Sequence, residues 1–354
     1  MNFLELKNKI INLKKIAKIT KKKTALFISN TKKNQNTNFY FSPVRETKRY
    51  VYFGIILFDG AVAKKIAKII DGKFDIIFVD TEKKSYLNIQ NKIINVERTI
   101  KQNIKKTYLR FYKANDLTVN AAEDFLGFFF KDEVRNLAGK KILIIGIGNI
   151  GFKLSLRLIE RGCGVKLYKR DKKKTLALCR TINNIKPNGT ATKATPIKNL
   201  ENDLDKFDVI FCAADKGNVL KISRKTKLKK NVLLIDIGKG MFDINALKIL
   251  RIRNIHIHRL DVAPSLNMLV ESTSTFKEFE KKKTYQIRKI KGYTFVSPGL
   301  LGQKNELIID NPNNPKIIYG ICDGHGDFIR LSSKQKLIIV EKISKAIKKK
   351  LYFN

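Results

Sequence analysis

The segment "ILIIGIGNIGFKLSLRLIERGCGVKLYKRD", residues 142–171, constrains the fold of this chain more than any other. An apolar run, Ile142 to Ile145, leads directly into Gly146-Ile147-Gly148-Asn149-Ile150-Gly151. A helical pattern follows, and a second short apolar run ends in Tyr168-Lys169-Arg170-Asp171. G-x-G-x-x-G alone is a weak signal, but between a predicted strand and a predicted helix, in a unit of about thirty residues, it marks a dinucleotide site. Gly146 permits the tight turn, and Gly148, with Asn149 and Ile150 beside it, lets backbone N–H groups close on a pyrophosphate. Gly151 lets the helix pack near the strand, and the helix N-terminus adds partial positive charge.

Roughly twenty residues past the first glycine, an NAD site places Asp or Glu to accept from the adenosine ribose 2′-OH. Here Lys169 and Arg170 stand at that point. A carboxylate repels a 2′-phosphate, whereas two cations bind it through charge-assisted hydrogen bonds. The expected cofactor is therefore NADP(H) rather than NAD(H). Two alternatives stay open: a lysine-rich chain can place cations there by chance, and Asp171 lies one step on, where it can turn back toward the ribose.

From Lys140 a regular alternation begins: strand 141–146, helix 149–162, strand 164–169 and helix 171–183. "DVIFCAA" and "NVLLIDI" read as buried strands, and "DINALKIL" as the helix before "IHIHRLDV". Buried apolar strands alternating with helices predict an α/β fold with a doubly wound parallel sheet, covered on both faces. Upstream, residues 1–24 read as a basic amphipathic helix with Leu6, Ile10, Leu13 and Ala17 on one face. Residues 25–135 read as a second α/β domain, in which 61–70 is a helix stopped by Asp71-Gly72, 74–79 a buried strand and 108–111 another. "NDLTVNAAEDFLGFFF" begins with a capping-type Asn115-Asp116 and continues as an apolar helix. The expected plan is thus 1–24, 25–135, a Rossmann domain over 136–262, and a C-terminal segment, 263–354, that returns to the first domain and closes on a lysine-rich helix at 333–350.

The formal charge of +42 suggests a nucleic-acid or anionic membrane surface when taken alone. Lysine outnumbers arginine, Asn and Ile are also abundant, and the lysines run along the whole chain, as AT-rich coding sequence produces. That distribution implies composition rather than a specific nucleic-acid partner, and it favours anionic cofactors and substrates either way. No apolar run approaches the ~18 residues of a membrane span. The N-terminus lacks the pattern of a secretory signal. The four cysteines, Cys163, Cys179, Cys212 and Cys322, form no CxxC pair and read as reduced thiols, so a cytoplasmic protein is expected. His256, His258 and the Cys322-Asp323-Gly324-His325 stretch do not have a metal-ligand spacing, and no metal is expected. His256 and His258 alternate along a strand and point to opposite faces. His325, in a turn flanked by two aspartates, is the histidine best placed to act as a catalytic group.

Two family resemblances rest on these motifs. "NLAGKKILIIGIGNIG" and "NVLLIDIGKGMFDINAL" followed by "RNIHIHRLDV" resemble the coenzyme domain of D-2-hydroxyacid dehydrogenases, from Asn136 to Val262. Lys239 occupies the place where that family carries a carboxylate-binding arginine. The overall plan is similar to the shikimate dehydrogenase and methylene-tetrahydrofolate dehydrogenase-like group, in which an α/β catalytic domain precedes the Rossmann domain. "FVDTEKKS" puts Lys84, with Lys83 beside it, just after a strand, and "KANDLTVNAAEDFL" puts Asn115-Asp116 at the head of the connecting helix. "YKRD" stands where shikimate dehydrogenases carry an Asn-Arg pair for NADP. The resemblance implies a catalytic Lys84–Asp116 pair that moves the hydroxyl proton during hydride transfer, and a homodimer.

An NADP-dependent oxidoreductase acting on a small, anionic hydroxy or keto metabolite is therefore the expected function. The competing expectations are an NAD(P)-binding regulatory or sensor protein without turnover and, third, nucleic-acid binding through the basic N-terminal helix and the lysine-rich tail.

Overall fold

The computed structural model describes residues 3–31, 39–57, 62–82, 95–197, 199–200, 203–214, 219–238, 240–281 and 285–354. The chain divides into two compact units, Met1–Val270 and Glu271–Asn354.

The first unit opens with α1 (Phe3–Thr20), whose buried residues Leu6, Ile10, Leu13 and Ala17 form the stripe expected from their spacing. The helix stops at Lys21, which takes a left-handed conformation (φ 54°), while the Lys22 N–H returns to the Ala17 carbonyl at 3.0 Å. The sequence pattern carries this helix to residue 24 and assigns no element to the run that follows. In the structure that run is β1 (Lys23–Asn30), the centre of a parallel sheet. Its register is shared by β4 (Tyr50–Leu57) on one side and β5 (Ile76–Asp80) on the other, and β6 (Tyr108–Tyr112) joins β5 in parallel. The short strands β2 (Phe39–Phe41) and β3 (Arg45–Glu46) pair antiparallel on β4.

One face of this sheet is covered by α1, α2 (Ala63–Ile70) and α3 (Val96–Asn103), which bury Ile66, Ile70 and Ile100 against Leu26, Phe53 and Ile77. Each such side chain contributes about 1.5–3 kcal/mol when it leaves water. On the other face Phe27 and Phe78 stack at 4.5 Å.

A long helix, α4 (Ala114–Phe129), then leads to a second, wholly parallel sheet. It contains β7 (Lys141–Ile145), β8 (Gly164–Tyr168), β9 (Ala194–Pro196), β10 (Val209–Cys212), β11 (Leu233–Asp236) and β12 (Ile257–Arg259). The spatial order is β12-β11-β10-β7-β8-β9. Renumbered from β7, that is the 3-2-1-4-5-6 order of the doubly wound dinucleotide fold. α4, α5 (Asn149–Glu160) and α6 (Lys172–Ile185) cover one face through Leu126, Leu154 and Ile182. α7 (Ile244–Ile252) and neighbouring loops cover the other through Leu250, Phe207 and Met241. The predicted fold class holds: an α/β chain with a doubly wound parallel sheet and a second α/β sheet N-terminal to it.

After β12 the chain turns at Asp261, whose carboxylate accepts the Ala263 N–H at 2.9 Å and pairs with both Arg45 guanidinium nitrogens at 3.1 and 3.3 Å. It then enters α8 (Ala263–Lys281), a helix that the sequence pattern did not reveal. Leu266, Leu269 and Val270 pack on the aromatic face of the first sheet, and the Tyr52 hydroxyl donates to Asn267 at 2.6 Å. In the second unit, β13 (Ile287–Ile290), β14 (Tyr293–Val296), β15 (Leu307–Ile309), β16 (Ile317–Ile321) and β17 (Tyr352–Phe353) form a mixed sheet in chain order. α9 (Ser333–Ile347) packs on it through Ile343 and starts with a capping box between Ser332 and Gln335. A left-handed Lys348 ends this helix at Ile347, rather than at 350.

Candidate functional site

Strand order in the second sheet reverses between β7 and β10, and in such sheets ligands bind outside the carboxyl ends of the strands at that point. The glycine turn sits there. Gly146 takes φ +93°, and its N–H donates to the Tyr168 carbonyl at 2.9 Å, which holds the ends of β7 and β8 together. A Cβ at Gly146 would fall 2.6 Å from the Ala214 nitrogen and 2.8 Å from the Ala213 carbonyl carbon. A Cβ at Gly151 would fall 2.2 Å from the Gly146 carbonyl oxygen, so only glycine lets α5 pack this near the turn.

Gly148 differs: among the described residues, a Cβ there meets nothing within 4 Å. It is the N-cap of α5, with no side-chain cap and no acid in the first turn. The helix itself thus supplies neither a side-chain cap nor a carboxylate to its N-terminal N–H groups, among them those of Asn149 and Ile150, or to the positive end of its dipole. These features fit a pyrophosphate.

Lys169 and Arg170 follow β8 directly, and among the described residues neither forms an ion pair. Asp171, which sequence alone leaves free to serve a ribose, caps α6: its Oδ1 accepts the Lys174 N–H at 2.9 Å. Lys172, Lys173 and Lys174 crowd the first turn, where positive charge opposes the helix dipole. The capping carboxylate offsets that repulsion, which is a local reason for its place.

The expected catalytic pair is only partly within the described residues, because Lys84 and its neighbour Lys83 lie outside them. Asp116 is described. The sequence pattern makes Asn115-Asp116 the cap of the connecting helix, and the structure corrects this. α4 already begins at Ala114, and Lys113 at its N-cap makes no side-chain cap. The Ala114 N–H instead donates to Asp80 Oδ1 at 3.2 Å, and that oxygen also accepts the Glu82 N–H at 3.0 Å. A carboxylate at the end of β5 thus does a capping job from across the sheet. The Asn115 side chain donates to Glu82 at 3.0 Å, and Asp116 pairs with Lys153 of α5. Further along α4, Asn120 and Glu123 receive Arg157 at 2.6 and 3.1 Å, and Glu123 receives Arg161 at 3.1 Å. Beside Asp80, burial pushes the Tyr112 phenol well above its usual range, and the Asp80 charge adds to this.

Sequence reasoning missed Asp80 and Lys153. The signal for the first was present, as a carboxylate that closes a wholly buried strand. The second depends on how α4 and α5 pack and has none.

The histidines separate as their alternation predicts. His258 packs against the Phe125 and Phe129 rings at 5.6 and 6.0 Å, whereas His256 is exposed. Burial, helped by His256, holds the His258 imidazole below its ordinary range. His325 lies in the second unit on an exposed turn, where Asp323 Oδ1 accepts the N–H groups of His325 and Asp327 at 2.7 and 3.1 Å. All four cysteines are buried. Burial raises the Cys163 thiol to about 12 and the Cys212 thiol to about 11, and raises Cys179 and Cys322 as well. None is a thiolate nucleophile at neutral pH. Among the described residues no group of three or more His, Cys, Asp or Glu side chains is placed to hold a metal, and no helix is long and apolar enough to cross a membrane. A depression of about 760 Å³ lined by Lys141 and Asp208 opens at the amino ends of β7 and β10, opposite to the glycine turn. Its cations Lys140 and Lys229 are matched by Glu133 and Asp208.

Residues 129–260 match the model of the shikimate / quinate 5-dehydrogenase family. The chain is also similar to a glutamyl-tRNA reductase from a Nitratiruptor species, with 24% identity over 160 residues that cover 44% of this chain and 34% of that protein. It thus spans about a third of the length of this curated relative. Among solved structures, L-tryptophan dehydrogenase from Nostoc punctiforme overlaps 70% of this chain and 72% of its own at 16% identity, with a TM-score of 0.39. A shikimate dehydrogenase in complex with NADP+ overlaps 70% and 86% at 14% identity, with a TM-score of 0.38. The resemblance to NAD(P)-binding Rossmann oxidoreductases, drawn from the motifs, holds over the segment that the family model matches.

Proposed function

We propose that this protein is an NADP(H)-dependent oxidoreductase that moves a hydride to or from a small, anionic hydroxy or keto metabolite. The observation that carries the reading is the end of β8: Lys169 and Arg170 have no carboxylate partner among the described residues, and Asp171 is engaged as the cap of α6. Among the described residues, a ribose 2′-phosphate meets two cations there whose charge no carboxylate pairs with. The α5 N-terminus and the open edge of Gly148 hold the pyrophosphate. The nicotinamide, when bound, supplies the hydride chemistry.

The chain's own contribution to the reaction is to hold a substrate and move its hydroxyl proton. Asp116 Oδ and Lys84 Nζ are the atoms assigned to that proton. Pairing with Lys153 fixes the Asp116 carboxylate where the connecting helix meets α5. The lysine surplus draws an anionic substrate. The four buried thiols do not support a route through a thioester.

One observation favours a second reading, a cofactor-binding sensor without turnover. The Asp116 carboxylate is already paired with Lys153, and the Asn115 side chain is engaged by Glu82. This reading predicts cofactor binding without oxidation or reduction of any hydroxy or keto acid offered.

The experiment is a fluorescence titration with NADPH and, separately, NADH at fixed salt, on the wild type and on Lys169→Ala/Arg170→Ala. The expected result is a preference for NADPH of about tenfold or more, close to 1.4 kcal/mol, which the double variant loses. Equal affinities in the wild type overturn the NADP assignment, and binding of neither cofactor overturns the oxidoreductase.

A further inference from the structure

We infer that Gly238, outside the glycine fingerprint, is a positioning residue for the cofactor site: it clamps the Ala213–Ala214 backbone against Gly146. This inference rests on the cofactor reading above. Gly238 follows β11, whereas Gly146 follows β7, and the segment after β10 lies between them. A Cβ built on Gly238 falls 2.0 Å from the Ala214 carbonyl oxygen and 3.1 Å from its carbonyl carbon. A Cβ built on Gly146 falls 2.6 Å from the nitrogen of the same residue. One residue is therefore gripped by two glycines from two different strands, on either side of the point where the strand order reverses.

Conformation does not explain the glycine at 238. Its φ is not in the left-handed region, unlike that of Gly240 at +95°. Among the described residues, it is the Ala214 peptide that stands in the way of a Cβ there.

Neither side can yield easily. The loop bearing Gly238 is tied by the Ile237 N–H to the Cys212 carbonyl at 2.9 Å. It is tied again by Asp236, whose Oδ2 accepts the N–H groups of Gly240 and Met241 at 2.9 and 3.1 Å. The Ala213 N–H is bonded to the Ile145 carbonyl at 2.8 Å, one residue before Gly146. A methyl group at 238 therefore displaces the Ala214 peptide toward Gly146 and shifts the turn that approaches the pyrophosphate. The end of β8, with Lys169 and Arg170, lies on the far side of β7, where the Gly146 N–H meets the Tyr168 carbonyl at 2.9 Å, and the Gly238 contact falls on the β10 side of the turn.

The test compares two ligands on purified full-length protein: NADPH, whose pyrophosphate needs the glycine turn, and adenosine 2′-monophosphate, which carries the 2′-phosphate for the cations after β8 and no 5′-phosphate for the turn. Gly238→Ala is expected to weaken NADPH by about tenfold or more while the monophosphate affinity and the far-UV spectrum stay as in the wild type. Equal affinity of wild type and variant for NADPH overturns the relay, and so does an equal loss of both ligands, which makes Gly238 a residue of general stability. If Gly238→Ala does not fold, Asp236→Asn loosens the same loop from the other end. That variant is expected to lose NADPH affinity by a smaller factor with the monophosphate unaffected, and unchanged NADPH binding there overturns the proposal. A wild type that binds neither ligand refutes the cofactor reading itself, whereas a wild type that binds both and a variant that matches it refute only the relay.

Discussion

Replacing Asp171 by alanine separates two roles that the sequence leaves together. In the structure its carboxylate accepts the Lys174 N–H at 2.9 Å and caps a helix of 14 residues. Loss of an N-cap side chain costs about 1 kcal/mol. The charge adds to this, because three lysines follow in the first turn and the capping carboxylate is the acid beside them, worth about 0.3–1 kcal/mol at a helix N-terminus. The expected loss is therefore about 1–2 kcal/mol, or roughly 2–4 °C in Tm for each kcal/mol in a unit of this size. Asp171→Asn keeps the acceptor and is expected to retain most of the stability. Urea unfolding read by circular dichroism measures the loss, and NADH and NADPH titrations on the same samples measure cofactor choice. Neither affinity is expected to move by more than about twofold. A tenfold loss of NADH affinity with stability unchanged refutes the argument, since it means that the carboxylate serves the ribose.

Two further outcomes follow from the same geometry. Asp116→Asn breaks a partly exposed pair with Lys153, with side chains 39% and 35% exposed. Screening limits the stability loss to less than about 1 kcal/mol, and a loss of several kcal/mol by urea unfolding contradicts that limit. Acid is expected to destabilise the first unit through Asp71, Asp208 and Asp261. Burial raises each of these carboxyls, but hydrogen bonds outweigh it and hold them below the ordinary range. Asp71 receives the Lys105, Lys106 and Thr107 N–H groups, Asp208 receives Lys141 and Lys229, and Asp261 receives Ala263 and Arg45. A depressed folded-state pKa stabilises above the unfolded value of about 3.9. That contribution is lost as pH falls through the folded-state values, so Tm should drop below about pH 5. The triple Asn variant should flatten that slope, and an unchanged slope contradicts the assignment.

What the sequence by itself determined is local. The β7–turn–α5–β8 unit was legible because its parts are neighbours in the chain. A strand buried on both faces must be continuously apolar, a turn this tight needs glycine, and an amphipathic helix shows its period. For the same reason the stripe Leu6, Ile10, Leu13, Ala17 predicted the buried face of α1. Elsewhere local signals competed. β1 is flanked by lysines, and it became the central strand only because β4 and β5 flank it. Asn115-Asp116 looked like a cap, yet Asp80, 34 residues earlier, took the Ala114 N–H. Asp171 was suited to a cap or a ribose, and the α6 backbone decided between them. The grip of Gly238 and Gly146 on Ala214 left no trace in the sequence beyond two glycines. Contacts of that kind depend on which strands become neighbours. Strand order is chosen by the burial of whole faces, and no single stretch of sequence records it.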